Sequence, residues 1–294
     1  MTKLLGEIVA VIKLDFLVAN LPILMWFPNT ARNGILKSRE NMKAMVAFFR
    51  DKIREHNQAS LEVDDYLHAY QQEEKTGAKT DMPKIFCEPQ LLASLYDLFA
   101  AGTDTTSTSL LFGLILMVEY PEVMRKVQAE IDTAVGRGTV LTNSDRVRLP
   151  YTEATILEIQ RYSNILPLGV PHKASEDLYV DGFTIPKGAL IVSNIQSIHH
   201  DPRYWKNPEI FDPLRFLDNN KKLIKPDGFI PFGIGKRACL GEALAKMELF
   251  LFFANFLRCF TLESPPGMVI SHKNYTSSII KAPMPFELIF SPRC

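Results

Sequence analysis

The stretch Pro231 to Phe250, "PFGIGKRACLGEALAKMELF", places a single cysteine between a glycine-rich loop and a run with helical spacing. Lys236 and Arg237 stand just before Cys239. A cysteine binds metals or acts as a nucleophile in its thiolate form, which a helix N-terminus and neighbouring cations favour. The glycines allow tight turns and let a bulky planar group come close to the backbone. The stretch therefore predicts a reactive cysteine at the junction of a loop and a helix.

Three interpretations of Cys239 are open from the residues alone. An ordinary buried cysteine is the more common case for a lone cysteine. A covalent nucleophile would need a histidine base, and the histidines of this chain sit in no supporting local pattern. An axial thiolate ligand of haem iron is the third interpretation, and only it uses Phe232, the glycines and Arg237 together.

Length and composition limit the remaining possibilities. The chain has 294 residues, 47% of them hydrophobic, and a formal net charge of zero. It is long enough for a sizeable core in one large domain or two ordinary ones, and it lacks the basic surplus of a nucleic-acid-binding protein. Its four cysteines form no CxxC pair, so we expect a reducing compartment.

No secretory signal is recognised near the N-terminus. The apolar run from Phe16 to Phe27 contains Pro22 and has about half of the ~20 residues that a membrane span needs. We therefore expect a buried or interfacial segment there and no anchor within this chain.

Apolar residues at helical spacing alternate with shorter irregular stretches along the chain. The polar stretch 71–84 is expected to be a surface loop or mobile link, and residues 165–230 a small sheet followed by a proline-punctuated segment. One or two hairpins should close the chain. The fold class is thus mainly α with a small β region (α+β). Helices are predicted over residues 36–58, 89–119, 121–135, 151–162 and from 240 to about 258.

The segment "FGIGKRACLG" (232–241) resembles the haem-binding signature FxxGxxxCxG of the cytochrome P-450 family at every fixed position. The similarity is greatest to the animal microsomal members. The resemblance implies that residues 1–294 are a partial catalytic domain, the C-terminal portion of the P-450 fold. It also implies that Cys239 is the axial ligand of heme b, with Phe232 and Gly241 beside the cofactor.

A second motif, "AGTDTT" (101–106), puts adjacent polar residues inside the long apolar helix. A solvated face would recur every three or four residues, and here the flanks are apolar. Gly102 and the polar side chains weaken a helix, so we expect the helix to open or kink here. The resemblance implies an oxygen pocket next to the haem, with Ala101 facing the cofactor, Thr105 hydrogen-bonding the oxygen and Asp104 feeding protons through water.

A third motif, "EIQR", places Glu158 and Arg161 on one helix face. Taken alone, the pair is a common surface ion pair of little energetic value, although its apolar neighbours indicate partial burial. The resemblance implies the ExxR pair of the family, joined by Arg215 in "FDPLRF" (211–216), with a structural role in haem retention. Leu214 stands where the family usually has an acidic or polar residue.

A fourth segment, "GVPHKASEDLYVDGFTIPKG" (169–188), resembles the strand and turn that follow the ExxR helix. His172 and Arg237 then correspond to residues that hydrogen-bond the haem propionates. A lone histidine before a strand more often has a structural role.

Three segments are implied to face the substrate: Leu95–Ala101, Ile165–Val170 and the turn 274–279. The first two are apolar, which favours a lipophilic substrate such as a fatty acid, steroid or xenobiotic. The expected activity is a haem-dependent monooxygenase that inserts one atom of O2 into this substrate.

The chain has no dinucleotide-binding glycine fingerprint and no flavin motif, so its electrons must come from a partner. The resemblance implies an NADPH-dependent flavoprotein reductase, with cytochrome b5 as a possible second donor. Lys236, Arg237 and Lys246 form a candidate docking face for an acidic protein, and a solvated lysine is an equal alternative for Lys246.

The resemblance also implies a large N-terminal portion ahead of what this chain contains, including the membrane anchor. The expected location is the cytoplasmic face of the endoplasmic reticulum membrane, with peripheral membrane contact and without the usual tether. The alternative function is a non-catalytic truncated isoform or fragment that binds haem poorly or not at all. A hydrolase with a cysteine nucleophile leaves "AGTDTT" unexplained.

Overall fold

The computed structural model describes residues 30–58, 65–77, 85–277 and 279–293. The chain divides into two compact units, Met1–Asp104 and Thr105–Cys294. The apolar run from Phe16 to Phe27 lies outside the described residues, so the expectation for it stays a prediction.

The first unit contains helices α1 (Thr30–Gln58) and α2 (Tyr66–Gly77) and the N-terminal half of α3 (Glu88–Glu119). Its apolar cluster is built by Met45 and Phe49 of α1 with Leu92 of α3. The apolar spacing that predicted a helix over 36–58 forms this buried stripe, and the helix starts six residues earlier than predicted.

The predicted loop over 71–84 is wrong for residues 71–77, which belong to α2. Asp65 starts the helix, because its carboxylate accepts a hydrogen bond from the His68 amide at 2.9 Å and so caps the first turn. Glutamine, glutamate and lysine, which fill much of this stretch, are good helix formers even where no apolar stripe is present. Residues 78–84 lie outside the described part of the chain.

Helix α3 is continuous over its 32 residues. Its C-terminal half is buried, with Phe112, Leu116 and Met117 fully inaccessible. Its N-terminal half is more exposed, and Leu98 and Phe99 remain accessible. By length and composition alone α3 could cross a membrane, a criterion that core helices of soluble proteins also meet.

The second unit adds helices α4 (Pro121–Ala134), α5 (Pro150–Ser163), α6 (Ile195–His199) and α7 (Glu242–Cys259). Proline is the first residue of both α4 and α5. It is favoured at this position because its φ is already fixed at a helical value and the N–H that it lacks would have no partner in the helix. The carboxylate of Glu130 in α4 accepts the Tyr151 and Thr152 amides at 2.8 Å each. This contact caps the start of α5 and fixes it against α4. Three short 3-10 turns lie between these elements: Asn143–Arg148, Pro213–Phe216 and Gly235–Arg237.

The core of the second unit is formed by the buried half of α3 with α4, α5 and α7. Each helix contributes its apolar face, and the contact is close enough that a Cβ at Gly113 would lie 3.3 Å from Ile159. The fully buried members include Met117, Val127, Ile131, Phe250, Ala254 and Leu257.

The strands form four separate antiparallel pairs among the described residues. This confirms the expected α+β class with a minor β component. The pairs are β1 (His172–Lys173) with β4 (Leu190–Ile191), β2 (Leu178–Val180) with β3 (Phe183–Ile185), β5 (Phe260–Glu263) with β8 (Ile289–Pro292), and β6 (Tyr275–Ser277) with β7 (Lys281–Pro283).

Candidate functional site

Residues 230–241, called the thiol loop here, lead into α7. Gly233 and Gly235 adopt φ of 73° and 76°, a left-handed conformation that glycine reaches without strain. The loop closes on itself because the Cys239 amide donates to the Phe232 carbonyl at 2.8 Å. Helix α7 begins at Glu242, two residues later than predicted, since Gly241 is its N-cap. Cys239 thus lies three residues ahead of the first helical residue.

The side chain of Cys239 is exposed, which argues against the interpretation as an ordinary buried cysteine. Apolar neighbours in the thiol loop are also accessible, with Ile234 74% and Leu240 91% exposed. A Cβ on Gly241 would lie 3.9 Å from the sulfur, an ordinary van der Waals contact, so Gly241 lies directly beside the thiol. An accessible thiol among accessible apolar side chains and glycines has the chemistry of an axial ligand beside a flat apolar macrocycle. The residues present therefore fit a haem.

Two predicted propionate ligands, Arg237 and His172, are exposed. Arg237 lies in the 3-10 turn of the thiol loop, and His172 lies in β1 opposite Ile191. Neither side chain has a hydrogen bond or ion pair with another residue in the described part of the chain. Both are thus open to an anionic group.

The predicted docking face changes in one respect. Lys246 forms an ion pair with Glu242 at 2.5 Å and lies over the Phe232 ring at 5.7 Å. Its charge is therefore compensated within α7, whereas Lys236 and Arg237 are exposed. A cleft of about 250 Å³ lies beside the thiol loop, lined by residues 225–227, 229–234 and Glu242 but not by Cys239.

Glu158, Arg161 and Arg215, called the ion cluster here, come together in the second unit. Arg161 grips the Glu158 carboxylate with two hydrogen bonds of 2.7 and 2.8 Å. Arg215 donates to the same carboxylate at 3.0 Å, and the Asp212 amide donates at 2.9 Å. Glu158 and Arg161 are fully buried, so the alternative of a surface ion pair is wrong.

Arg161 is the centre of the ion cluster. Its remaining N–H groups donate to the carbonyls of His199 at 2.7 Å and Pro208 at 3.0 Å. Its guanidinium plane lies over Trp205 at 5.2 Å. Burial raises the pKa of Glu158, while Arg161 and Arg215 act in the opposite direction. Four donors on two carboxylate oxygens satisfy the buried Glu158 carboxylate fully, as a buried ion pair requires.

The motif over residues 101–106 lies on α3 without any interruption of the helix, so the expected opening is wrong. Just after the motif, the Ser109 hydroxyl donates to the Thr105 carbonyl at 2.9 Å, a bond within one helix turn. Asp104 is partly buried, and desolvation raises the pKa of its carboxyl. Ala101 is exposed and Thr105 is partly buried.

Two of the predicted substrate-facing segments are brought together in the second unit. The Lys281 amide in β7 donates to the Ile165 carbonyl at 2.8 Å, which joins the hairpin β6–β7 to residues 165–170. Leu168 and Val170 are exposed. Ser278 lies outside the described residues.

Sequence reasoning missed two residues near these elements, Lys281 and His199. The Lys281 ammonium donates to the Ser163 carbonyl at 3.0 Å and lies over the Tyr275 ring at 4.3 Å, and burial lowers its pKa. His199 is fully buried between the ion cluster and the thiol loop. Neither residue lies in a local pattern, because the partners are distant in sequence.

Comparisons with known proteins agree with the motifs. The family profile described as "Cytochrome P450" matches residues 1–290. The chain is 41% identical over 273 residues to "Cytochrome P450 2U1" of Mus musculus, which covers 91% of this chain and 51% of that protein. It is 41% identical over 281 residues to "Cytochrome P450 2C8" of Homo sapiens, covering 93% and 56%. "Cytochrome P450 18a1" of Drosophila melanogaster is 41% identical over 274 residues, covering 90% and 49%. The chain spans about half the length of these curated relatives.

Proposed function

Because the chain belongs to the cytochrome P450 family, we propose that it is the haem-binding portion of a monooxygenase with Cys239 as the axial thiolate. The observation that supports this best is the self-closed thiol loop with its exposed sulfur and accessible apolar side chains. The reaction inserts one atom of O2 into a lipophilic substrate and releases the other as water, using two electrons and two protons. The bound haem supplies the iron at which dioxygen is reduced.

The chain's own residues have three tasks in this proposal. Cys239 would supply a thiolate to the metal, a ligand that favours O–O cleavage. Arg237 and His172 hold the negative edge of the cofactor by charge-assisted hydrogen bonds. Phe232 and Gly241 would line the face of the cofactor. Ala101 is assigned to cofactor binding by the family resemblance alone.

Proton delivery is assigned to Asp104 and Thr105. Desolvation raises the pKa of Asp104, which brings a carboxyl closer to the range in which it exchanges protons near neutral pH. Thr105 follows directly and has a hydroxyl able to accept and donate. We propose that the Thr105 hydroxyl would hydrogen-bond dioxygen or a water and that Asp104 would supply protons through that water.

The ion cluster keeps its structural role in the proposal. With its donors directed at one carboxylate and at backbone carbonyls, it fixes α5 against the segment that leads to the thiol loop. Its contribution concerns retention of the cofactor and not the chemistry.

Substrate, electron source and location follow from the same proposal. The accessible apolar residues Leu168 and Val170 support a fatty acid, steroid or xenobiotic. Electrons come from an NADPH-dependent flavoprotein reductase, with cytochrome b5 as a second donor, at the face that carries the exposed cation Lys236. We place the protein at the endoplasmic reticulum membrane on its cytoplasmic face.

The test is the absorption spectrum of the purified chain, reconstituted with haem, reduced and exposed to carbon monoxide. The wild type should show the red-shifted Soret band of thiolate-ligated haem. Cys239→Ala should lose the band, and the matched control Cys87→Ala should keep it. An unchanged band in Cys239→Ala would refute the ligand assignment. A wild-type chain that takes up no haem would support the alternative of a non-catalytic fragment.

The proton-delivery role has a separate test. Thr105→Ala in the haem-loaded chain, supplied with reductase, should raise the share of reducing equivalents lost as peroxide relative to product. Ser107→Ala, an exposed position two residues along the same helix, is the control. Equal coupling in the two variants would remove Thr105 from the mechanism.

A further inference from the structure

His199 occupies a buried position between the ion cluster and the thiol loop. It has no accessible surface. Its backbone carbonyl accepts a hydrogen bond from Arg161 at 2.7 Å. Its ring stacks on Phe229, with centroids 5.9 Å apart and planes 19° apart. Its Nε2 lies 3.1 Å from the amide nitrogen of Ile230, the first residue of the thiol loop.

The bond to Ile230 defines the state of the imidazole. A backbone amide is only a donor, so Nε2 must be the unprotonated acceptor and the single ring proton must be on Nδ1. Burial, together with the nearby Arg161 and His200, lowers the pKa of His199 to about 3. The ring is therefore neutral at physiological pH. Its Nδ1 is buried without a hydrogen-bond partner among the described residues, and an unsatisfied buried donor is destabilising unless another contact compensates.

The bond at Ile230 is the first of a series of hydrogen bonds that leads to the cysteine. The Ile230 carbonyl accepts the Gly233 amide at 3.0 Å, and the Phe232 carbonyl accepts the Cys239 amide at 2.8 Å. Pro231, between them, has no amide proton and fixes its own φ. The direction in which the loop leaves Ile230 thus decides where the sulfur is placed.

The helix that carries His199 is itself fixed. The Trp205 indole donates to the Ile198 carbonyl at 3.0 Å. At Gly228, an added Cβ would lie 2.9 Å from Tyr204 and 3.2 Å from the Trp205 indole nitrogen. The segment before Ile230 therefore lies against Tyr204 and Trp205 as closely as a glycine allows, and Trp205 in turn bonds to the helix that carries His199.

We propose that His199 is a positioning residue: its neutral imidazole accepts the Ile230 amide and so transmits the fixed geometry of the ion cluster to the loop that holds Cys239. It does not touch the cofactor or substrate. The functional part of this proposal rests on the proposed function, because positioning the loop affects activity only if Cys239 is the metal ligand. Its structural part is independent of haem.

The experiment uses His199→Phe and His199→Gln in the full chain. Phenylalanine keeps a flat ring against Phe229 but removes the acceptor, whereas glutamine places an amide oxygen near the position of Nε2. His200→Gln is the matched control, because the adjacent histidine bonds within its own helix turn to Gln196. The first measurement is amide hydrogen exchange at Ile230 and Gly233 without haem. The second is the reduced carbon monoxide spectrum with haem.

His199→Phe should speed exchange at both amides by about tenfold and move part of the absorption from the thiolate band to that of haem without thiolate ligation. His199→Gln should recover most of both properties, and His200→Gln should resemble the wild type. Wild-type exchange in His199→Phe, or equal defects in the phenylalanine and glutamine variants, would overturn the proposal. The second outcome would reduce His199 to a packing role.

The wild-type chain offers a test that needs no substitution. Nitrogen-15 spectra of the imidazole should show a protonated Nδ1 and an unprotonated Nε2, and a proton on Nε2 would overturn the proposal even if both variants fail to fold. Neither this measurement nor the exchange measurement requires haem. If the wild type shows no thiolate band while both give the expected result, the proposed function fails and the positioning of the loop stands.

Discussion

The ion cluster and the thiol loop both belong to the second unit, yet they differ in whether their polar and charged groups find partners within the chain. In the ion cluster every charge meets a partner from this chain: the Glu158 carboxylate receives four donors, and Arg161 is fully buried. In the thiol loop the sulfur, the Arg237 guanidinium and the Leu240 side chain are all accessible. The first arrangement is complete as a piece of structure, and the second has the composition of a site that receives a ligand.

The strongest test of this contrast is Glu158→Gln. Removing the charge leaves the buried Arg161 without its counter-ion, so the free energy of unfolding should fall by about 3–5 kcal/mol. Chemical denaturation of the chain measures it. The control is Glu55→Gln in α1, whose pair with Lys52 has three-residue spacing as well but is exposed, and it should change stability by less than about 1 kcal/mol. Equal losses of stability in the two variants would mean that the ion cluster does not stabilise the protein more than an exposed ion pair does.

The second test uses pH. The pKa of His199 in the folded chain is about 3, below the value of 6.5 for a free imidazole. Between these values the unfolded chain binds a proton that the folded chain does not. The stabilisation from His199 is thus fully present above pH 6.5 and is lost as the pH falls toward 3.

Denaturation of wild type and His199→Phe between pH 6 and 4 measures this loss. As the pH falls, the free energy of unfolding of the wild type should decrease more steeply than that of His199→Phe, by up to about 1.4 kcal/mol per pH unit. Comparing the two chains removes the contribution of Glu158, whose raised pKa acts with the opposite sign. Parallel curves would show that His199 is charged in the folded chain.

The third test compares two glycines. Gly235, in the thiol loop, has a φ of 76° and open space at its Cβ position, so Gly235→Ala should cost about 1–2 kcal/mol through the backbone alone. Gly102 also has open space but lies in α3, so Gly102→Ala should stabilise by about 0.5–1 kcal/mol. Thermal melts of both variants check the signs. A loop that tolerates alanine at 235 would not have the described conformation.

The smallest expected change is the effect of Cys239→Ala on the chain without haem. The side chain is exposed, and exposed substitutions usually stay within about 0.5 kcal/mol. A loss of 2 kcal/mol or more on denaturation would mean that the sulfur has a structural role in the protein, which would break the contrast with the ion cluster.

The sequence predicts much of the helical part, because helices depend on local spacing. The predicted helices over 121–135 and 151–162 match α4 and α5 within a residue or two. The spacing of Glu158 and Arg161 predicted their shared face, and the family resemblance supplied Arg215. The cysteine signature led directly to the family that the comparisons show.

The features that the sequence did not predict are of two kinds. Some depend on contacts between residues distant in sequence, and others are polar stretches that form helix where the local pattern predicted a loop or a break. Residues 71–77 are helical although they carry no apolar stripe, and the polar motif of α3 does not break its helix. His199 and Lys281 acquire their roles from Ile230 and Ser163, respectively, 31 and 118 positions away. No window of local sequence contains such pairs.

The two-stranded pairing described for β2 and β3 has a practical consequence. Each strand of this ribbon has one side without a partner strand among the described residues, and Tyr179 and Phe183 are 77% and 75% exposed. Open edges with apolar side chains are where strands of separate molecules join. Residues 178–185 are therefore one candidate site of self-association during concentration, and they offer positions for solubilising changes away from the cysteine.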